Sequence, residues 1–89
     1  MEYELIPKYT KQKSFYRKAI VIQDKDEIKL KSYNTIVAKI IKKDNKTIYK
    51  YLGNFSNTTK AHQKEFFKQN GLNDEEIKKL FKEWELEYE

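Results

Sequence analysis

The residues able to do chemistry are few, and their spacing narrows what that chemistry is. His62 is the single histidine and there is no cysteine. A nucleophile needs a base, usually His, oriented by a third group. Only His62 is available for that role, and it falls early in a helical stretch on the side that carries Phe66. Its expected role is packing, with phosphate binding as the alternative. Asp24, Asp26 and Glu27 cluster in one turn, but Lys25 and Lys29 flank them, and the calcium-loop pattern around a Gly is missing. Gly53 and Gly71 are the only two glycines, too few for a Gly-rich phosphate cradle. Neither a metal nor a cofactor is expected, and the chain reads as a non-enzyme.

Binding surfaces are the better candidates. Tyr33, Tyr49 and Tyr51 alternate with Lys50 and lie near Lys39 on the adjacent strand. A sheet face with exposed aromatics and lysines can stack single-stranded bases. The competing reading places those rings in the core beneath the helices. Lys29, Lys31, Lys39, Lys42, Lys43 and Lys50 would form the basic strip of a DNA- or RNA-binding surface. Free N–H groups at residues 57–60, beside Thr58, Thr59 and Lys60, offer a site for a phosphate. Trp84 and Phe81, followed by Leu86 and Tyr88 among glutamates, suit a contact with a partner or a second copy, since interfaces favour Trp and Tyr anchors. The plainer alternative is docking of that helix onto the sheet.

Charge is unevenly spread. The 89 residues carry a net charge of +5. Residues 1–72 hold 16 basic and 7 acidic groups, whereas residues 73–89 hold 3 basic and 7 acidic groups. A basic body with an acidic tail suits a nucleic-acid surface plus a second contact. Against this, 18 of the 19 basic residues are Lys, and Arg is the residue suited to bidentate phosphate and guanine contacts. An AT-rich coding sequence accounts for the Lys excess equally well.

These residues need elements to hold them. The length suits one domain with a thin core, about 60% of its unfolded surface being buried. Residues 1–14 read as an extended arm and residues 15–52 as strands. Ala19–Ile22 is an unbroken apolar run, and Glu27–Lys31 alternates with Ile28 and Leu30 inward. In Thr35–Lys42, Ile36, Ala38 and Ile40 should share one face and Val37, Lys39 and Ile41 the other. Thr47–Leu52 is the partner strand, ended at Gly53 and Asn54. Residues 57–70 and 73–86 read as helices. Asn70-Gly71 stops the first. Asn73 and Glu76 form a capping box for the second, with Leu72 and Ile77 as its hydrophobic staple. Ile77, Leu80, Phe81 and Trp84 then make one apolar stripe. Strands followed by helices imply an α+β fold: an antiparallel sheet of three to four strands, then two C-terminal helices packed on one face. No apolar run approaches the roughly 20 residues of a membrane span, and Met1-Glu-Tyr-Glu lacks a signal-peptide core. A cytoplasmic location is expected.

The segments Ser14-Phe-Tyr-x-Lys-Ala19, Leu30-x-Ser-Tyr-Asn-Thr-x-Val-Ala38 and Thr58-Thr-x-x-His62, with Phe66 and Gln69-Asn-Gly71, carry a resemblance. Together they resemble small uncharacterised proteins encoded by phages and mobile elements of low-GC Gram-positive bacteria. The likeness runs over residues 13 to 71 and does not include the helix after Leu72. It implies no activity. It implies company with regulators and inhibitors of host defence, and hence an anti-defence (anti-CRISPR-like) inhibitor acting in the host cytoplasm. The implied partner is a host defence protein or ribonucleoprotein complex. Tyr33, Asn34, Thr58 and His62 would form a polar patch between strand and helix.

Overall fold

Tight turns let successive strands pair as neighbours, and most of this chain is built that way. A computed structural model describes residues 1–53 and 55–88. In chain order it has β1 (Glu2–Glu4), β2 (Ala19–Gln23), β3 (Glu27–Ser32), β4 (Thr35–Lys43), β5 (Lys46–Tyr51), α1 (Asn57–Gln69) and α2 (Asp74–Tyr88). The five strands form one antiparallel sheet in the order β1-β2-β3-β4-β5. Asp44 and Asn45 join β4 to β5 at φ +52° and +63°, the two-residue geometry whose twist matches a hairpin. Tyr33 turns β3 into β4 at φ +56°, a conformation a bulky residue rarely takes. Its N–H is anchored on the Lys18 carbonyl at 2.7 Å.

The α+β class and the strands-then-helices order stand; the strand count is five rather than three to four. The extra strand is β1, inside the expected arm. Tyr3 pairs with Val21, and the Leu5 N–H donates to the Ala19 carbonyl at 2.9 Å. Three residues carry too little pattern to announce a strand; the open edge of β2 orders them. The arm then crosses to α1. Backbone N–H groups of Lys8 and Tyr9 each donate to the Glu65 carboxylate at 3.0 Å, and Gln69 Nε2 donates to the Ile6 carbonyl at 2.7 Å. The strand expected from residue 15 starts only at Ala19, because Tyr16 and Arg17 take φ +53° and +61° in a turn.

A bulge corrects the expected alternation in β4. Leu30 faces Ala38, but Lys31 faces Ile36, so Val37 is an extra residue. Val37 and Ala38 are both buried, at 1% and 0% exposure, as a bulge that re-aims a side chain allows. Gln63 Nε2 donates to the carbonyls of Val37 at 2.9 Å and Leu52 at 3.4 Å, so α1 is pinned where the ladder is broken.

Both helices cover the sheet face that carries Val21, Leu30, Ala38, Ile40 and Tyr51. Phe66 and Phe67 of α1, at 0% exposure, fill the centre. Ser56 caps α1, its Oγ accepting from the Thr59 N–H at 3.4 Å. Gly71, at φ +96°, closes it. The N–H groups of Gly71 and Leu72 donate to the carbonyls of Lys68 and Phe67, both at 3.1 Å. This reciprocal pair needs a left-handed residue that glycine supplies cheaply. The expected capping box of α2 is formed in both directions: Glu76 N–H to Asn73 Oδ1 at 2.9 Å, and Asn73 N–H to Glu76 Oε1 at 3.0 Å. Leu72 and Ile77 are buried on either side of it. Asn54 and Glu89, and the side chains of Glu87 and Tyr88, lie outside the described residues.

Candidate binding surfaces

Neighbouring residues on a strand point to opposite faces, and this rule separates the tyrosines from the lysines. Tyr49 and Tyr51 turn toward the helices. Tyr51 stacks on Phe67 at 6.2 Å and meets Phe81 edge-on at 5.1 Å, while Tyr49 meets Phe67 at 6.5 Å. Trp84 stacks on Phe81 at 6.2 Å, extending this cluster. Burial pushes the Tyr51 phenol up to about 12, so it stays protonated at neutral pH. These rings form the core under the helices and do not share a face with Lys39 and Lys50, so the Tyr/Lys stacking platform is not assembled. Tyr33 sits apart in its turn, 49% exposed, with the Lys18 ammonium 5.7 Å from its ring.

Lys29, Lys31, Lys39, Lys43 and Lys50 are on the outer face, which the helices leave open, whereas Lys42 alternates onto the side of Ile40. Lys29 lies opposite Lys39, and Lys39 opposite Lys50, one row across three strands. Strands lie about 4.8 Å apart, so the row spans about 10 Å. Ile22 extends it onto β2. A parallel row on one side is Ile20, Lys31 and Ile36, and on the other Glu27, Ile41 and Ile48. Like charges directly opposite on a sheet destabilise it. Glu27 offsets part of this, with ion pairs to Lys39 at 3.6 Å and Lys29 at 3.9 Å. Both pairs are solvent-exposed enough to be worth at most about 1 kcal/mol. No ion pair reaches Lys50 among the described residues.

The polar patch between strand and helix exists in altered form. Ser32 Oγ lies 2.8 Å from His62 Nδ1 and 3.1 Å from Thr59 Oγ1. The Phe15 ring stands edge-on to His62 at 4.5 Å, and Tyr33 lies 6.1 Å away. Thr58, expected in this patch, is exposed on the other side of the helix turn, and Asn34 is exposed in the β3–β4 turn. Burial lowers the His62 pKa below its ordinary value, so the ring is neutral at pH 7. A Ser–His contact of this length is the geometry of a nucleophile and its base. Here Ser32 and His62 are 2% and 1% exposed, and no carboxylate bonds the ring among the described residues. Each partner satisfies another buried polar group, and the pair is closed off from solvent.

The remaining candidates lie around the helices. Lys60 is half-buried with its ammonium 5.5 Å from the Phe81 ring. Asp74, in the first turn of α2, pairs with Lys68 at 3.1 Å and Lys64 at 3.4 Å. The Lys68 hydrogen bond is the main cause of its lowered pKa. Among the described residues no three His, Asp or Glu groups gather as metal ligands, and no helix is long and apolar enough to cross a membrane.

Gln63 and Glu65 were not anticipated as structural polar groups, and Ser32 and Thr59 were not joined to His62. Glu65 had a readable signal, being a carboxylate next to Phe66 and Phe67 on the helix face that must be buried. The outer isoleucine rows were also missed, because rows exist only once the strands are in register, and Ile36 joins one only through the bulge.

Fold and surface together define a small α+β protein with a two-helix cover and an open sheet face of lysine and isoleucine rows. The chain belongs to DUF8033, a family of unknown function whose model matches residues 3–83. That span takes in part of β1 and most of α2, more than the 13–71 over which the short motifs run. No curated protein and no solved structure matches the chain.

Proposed function

We propose that this protein is a non-enzymatic binding protein that docks an anionic protein surface on the open face of its sheet. The observation that carries the reading is the Lys29–Lys39–Lys50 row flanked by isoleucines. Folding gains nothing from lysines set opposite one another; a partner carrying carboxylates relieves the repulsion and steers association. The flanking Ile20, Ile22, Ile36, Ile41 and Ile48 suit a protein partner that removes apolar surface from water. Phosphates alone would leave them wet.

The resemblance to phage and mobile-element proteins supplies the partner class. It is a host defence protein or ribonucleoprotein complex that handles nucleic acid, and this chain is its inhibitor. The test is capture of the partner by the purified protein from host lysate, with and without nuclease. Retention after nuclease, weakened at least tenfold by Lys39→Glu with Lys50→Glu, supports the reading. Capture indifferent to those changes overturns it.

The second reading is direct nucleic-acid binding through the same lysines. It is favoured by the row alone, since among the described residues the outer face of the strands presents no aromatic side chain for bases to stack on. A gel shift at low salt that weakens steeply as salt rises is its signature; no shift at low salt removes it.

A further inference from the structure

Between α1 and α2 the surface opens into a cavity of about 450 Å³, inside the roughly 300–1,000 Å³ range of small-molecule sites. Phe81, Ile77 and Tyr51 supply its apolar lining, and Ile77 and Tyr51 are themselves buried. Four lysines stand around it, Lys60 and Lys64 from α1 and Lys78 and Lys82 from α2. Within each helix the two lysines are four residues apart, so they share a face. The carboxylates at the rim are Asp74 and Glu85, and Asp74 is already engaged by Lys64 and Lys68. Among the described residues no ion pair holds Lys60, Lys78 or Lys82.

Like charges on both walls of a cleft repel each other. Lys64 is offset by Asp74 and Lys60 by the Phe81 ring, whereas among the described residues no ion pair or ring offsets Lys78 or Lys82. Those Lys60 and Lys64 contacts do link α1 to α2, but the Leu72–Ile77 staple and the aromatic floor hold the helices together without Lys78 or Lys82. A cleft with an excess of one sign of charge over low-dielectric walls concentrates ions of the opposite sign, and here four lysines face two carboxylates. Lys60 already illustrates the chemistry, its ammonium resting over the Phe81 ring at 5.5 Å, an attraction that gains strength where water is excluded. The Tyr51 phenol is protonated at neutral pH, as any tyrosine is, and adds no competing negative charge.

We infer that this cleft binds a small amphipathic anion, with an aromatic or aliphatic body on Phe81 and Ile77 and a carboxylate or phosphate among Lys60, Lys78 and Lys82. This site is on the opposite side of the molecule from the outer sheet face and does not depend on it. Two sources share the chemistry, an aliphatic acid and a nucleoside monophosphate.

The experiment titrates the intact protein with 1-anilinonaphthalene-8-sulfonate, reading dye fluorescence together with the emission of Trp84, which stacks on the groove ring Phe81. Dodecanoate and adenosine monophosphate then compete as separate arms. The expected result is one saturable site, displaced by one of the two competitors. It should weaken about tenfold in the Lys78→Glu/Lys82→Glu variant, the equivalent of about 1.4 kcal/mol. Both lysines are exposed, so near-ultraviolet circular dichroism should be unchanged in that variant. Lys39→Glu, on the far face, should leave dye binding within twofold. Non-saturable binding, displacement by neither competitor, or an equal loss in Lys39→Glu and in the α2 variant overturns the site.

Discussion

The two faces of this sheet are built from the same strands and obey opposite rules. On the inner face Tyr49 and Tyr51 alternate into a cluster with Phe67 and Phe81, and the polar groups Ser32, Thr59, His62 and Glu65 are buried against partners. On the outer face, Lys29, Lys39 and Lys50 stand opposite one another between isoleucine rows. Each of these inner residues has a reason in folding. The outer row sets like charges opposite one another, a repulsion that Glu27 offsets only in part. A surface that folding does not explain is where a binding function is most economically placed.

Breaking the inner face should give the largest effect. Phe67→Ala removes a fully buried ring shared by Tyr49, Tyr51 and Phe66, and the expected loss is about 3–5 kcal/mol in urea unfolding. Glu65→Ala should come next. It strands the N–H groups of Lys8 and Tyr9 and frees Gln69, at a cost of about 1–3 kcal/mol. Proteolysis of the arm around residues 8–14 should accelerate with it, and an arm as resistant as in the wild type would show that Glu65 does not hold it.

Acidification sharpens the contrast further. The folded-state pKa of His62 lies below 6.5 because burial disfavours the charged ring. The unfolded chain therefore takes up the proton first. The stability that His62 contributes is complete above pH 6.5 and declines as pH falls from there toward the lowered folded pKa, by at most about 1.4 kcal/mol per pH unit. His62→Gln should be less stable at pH 7.5 yet lack this part of the slope. Asp74, whose pKa is lowered chiefly by Lys68, adds a further decline only below its ordinary value of 3.8. An identical slope in the wild type and His62→Gln between pH 7.5 and 5 would assign the dependence elsewhere. Smallest of all should be Lys50→Ala, within about 0.5 kcal/mol of wild type.

Much of the inner face was readable in advance, because its signals are local. The capping box at Asn73 and Glu76, the Asn70-Gly71 stop and the Ile77–Trp84 stripe each lie within two helical turns. The same is true of the α+β order. What was not readable depends on non-local pairing. β1 is a strand only because β2 offers it an edge, so the count came out short. The Val37 bulge shifts register between Leu30 and Lys31, a single extra residue that hydrophobic alternation does not reveal. Ser32 finds Thr59 and His62 across 27 and 30 residues of chain, so the patch was placed one residue off at Thr58. Of the six lysines singled out, Lys29, Lys39 and Lys50 align across the sheet. Their alignment as a row, and their separation from Tyr49 and Tyr51, followed only from the register.

The most direct measurement compares folding and binding in one protein, the triple variant Lys29→Gln/Lys39→Gln/Lys50→Gln. If the outer row serves a partner, urea unfolding should show stability equal to wild type or raised by up to about 1 kcal/mol as like charges are removed, while capture of the anionic partner is lost. A loss of stability comparable to that of Phe67→Ala, with capture intact, would contradict the division between the two faces.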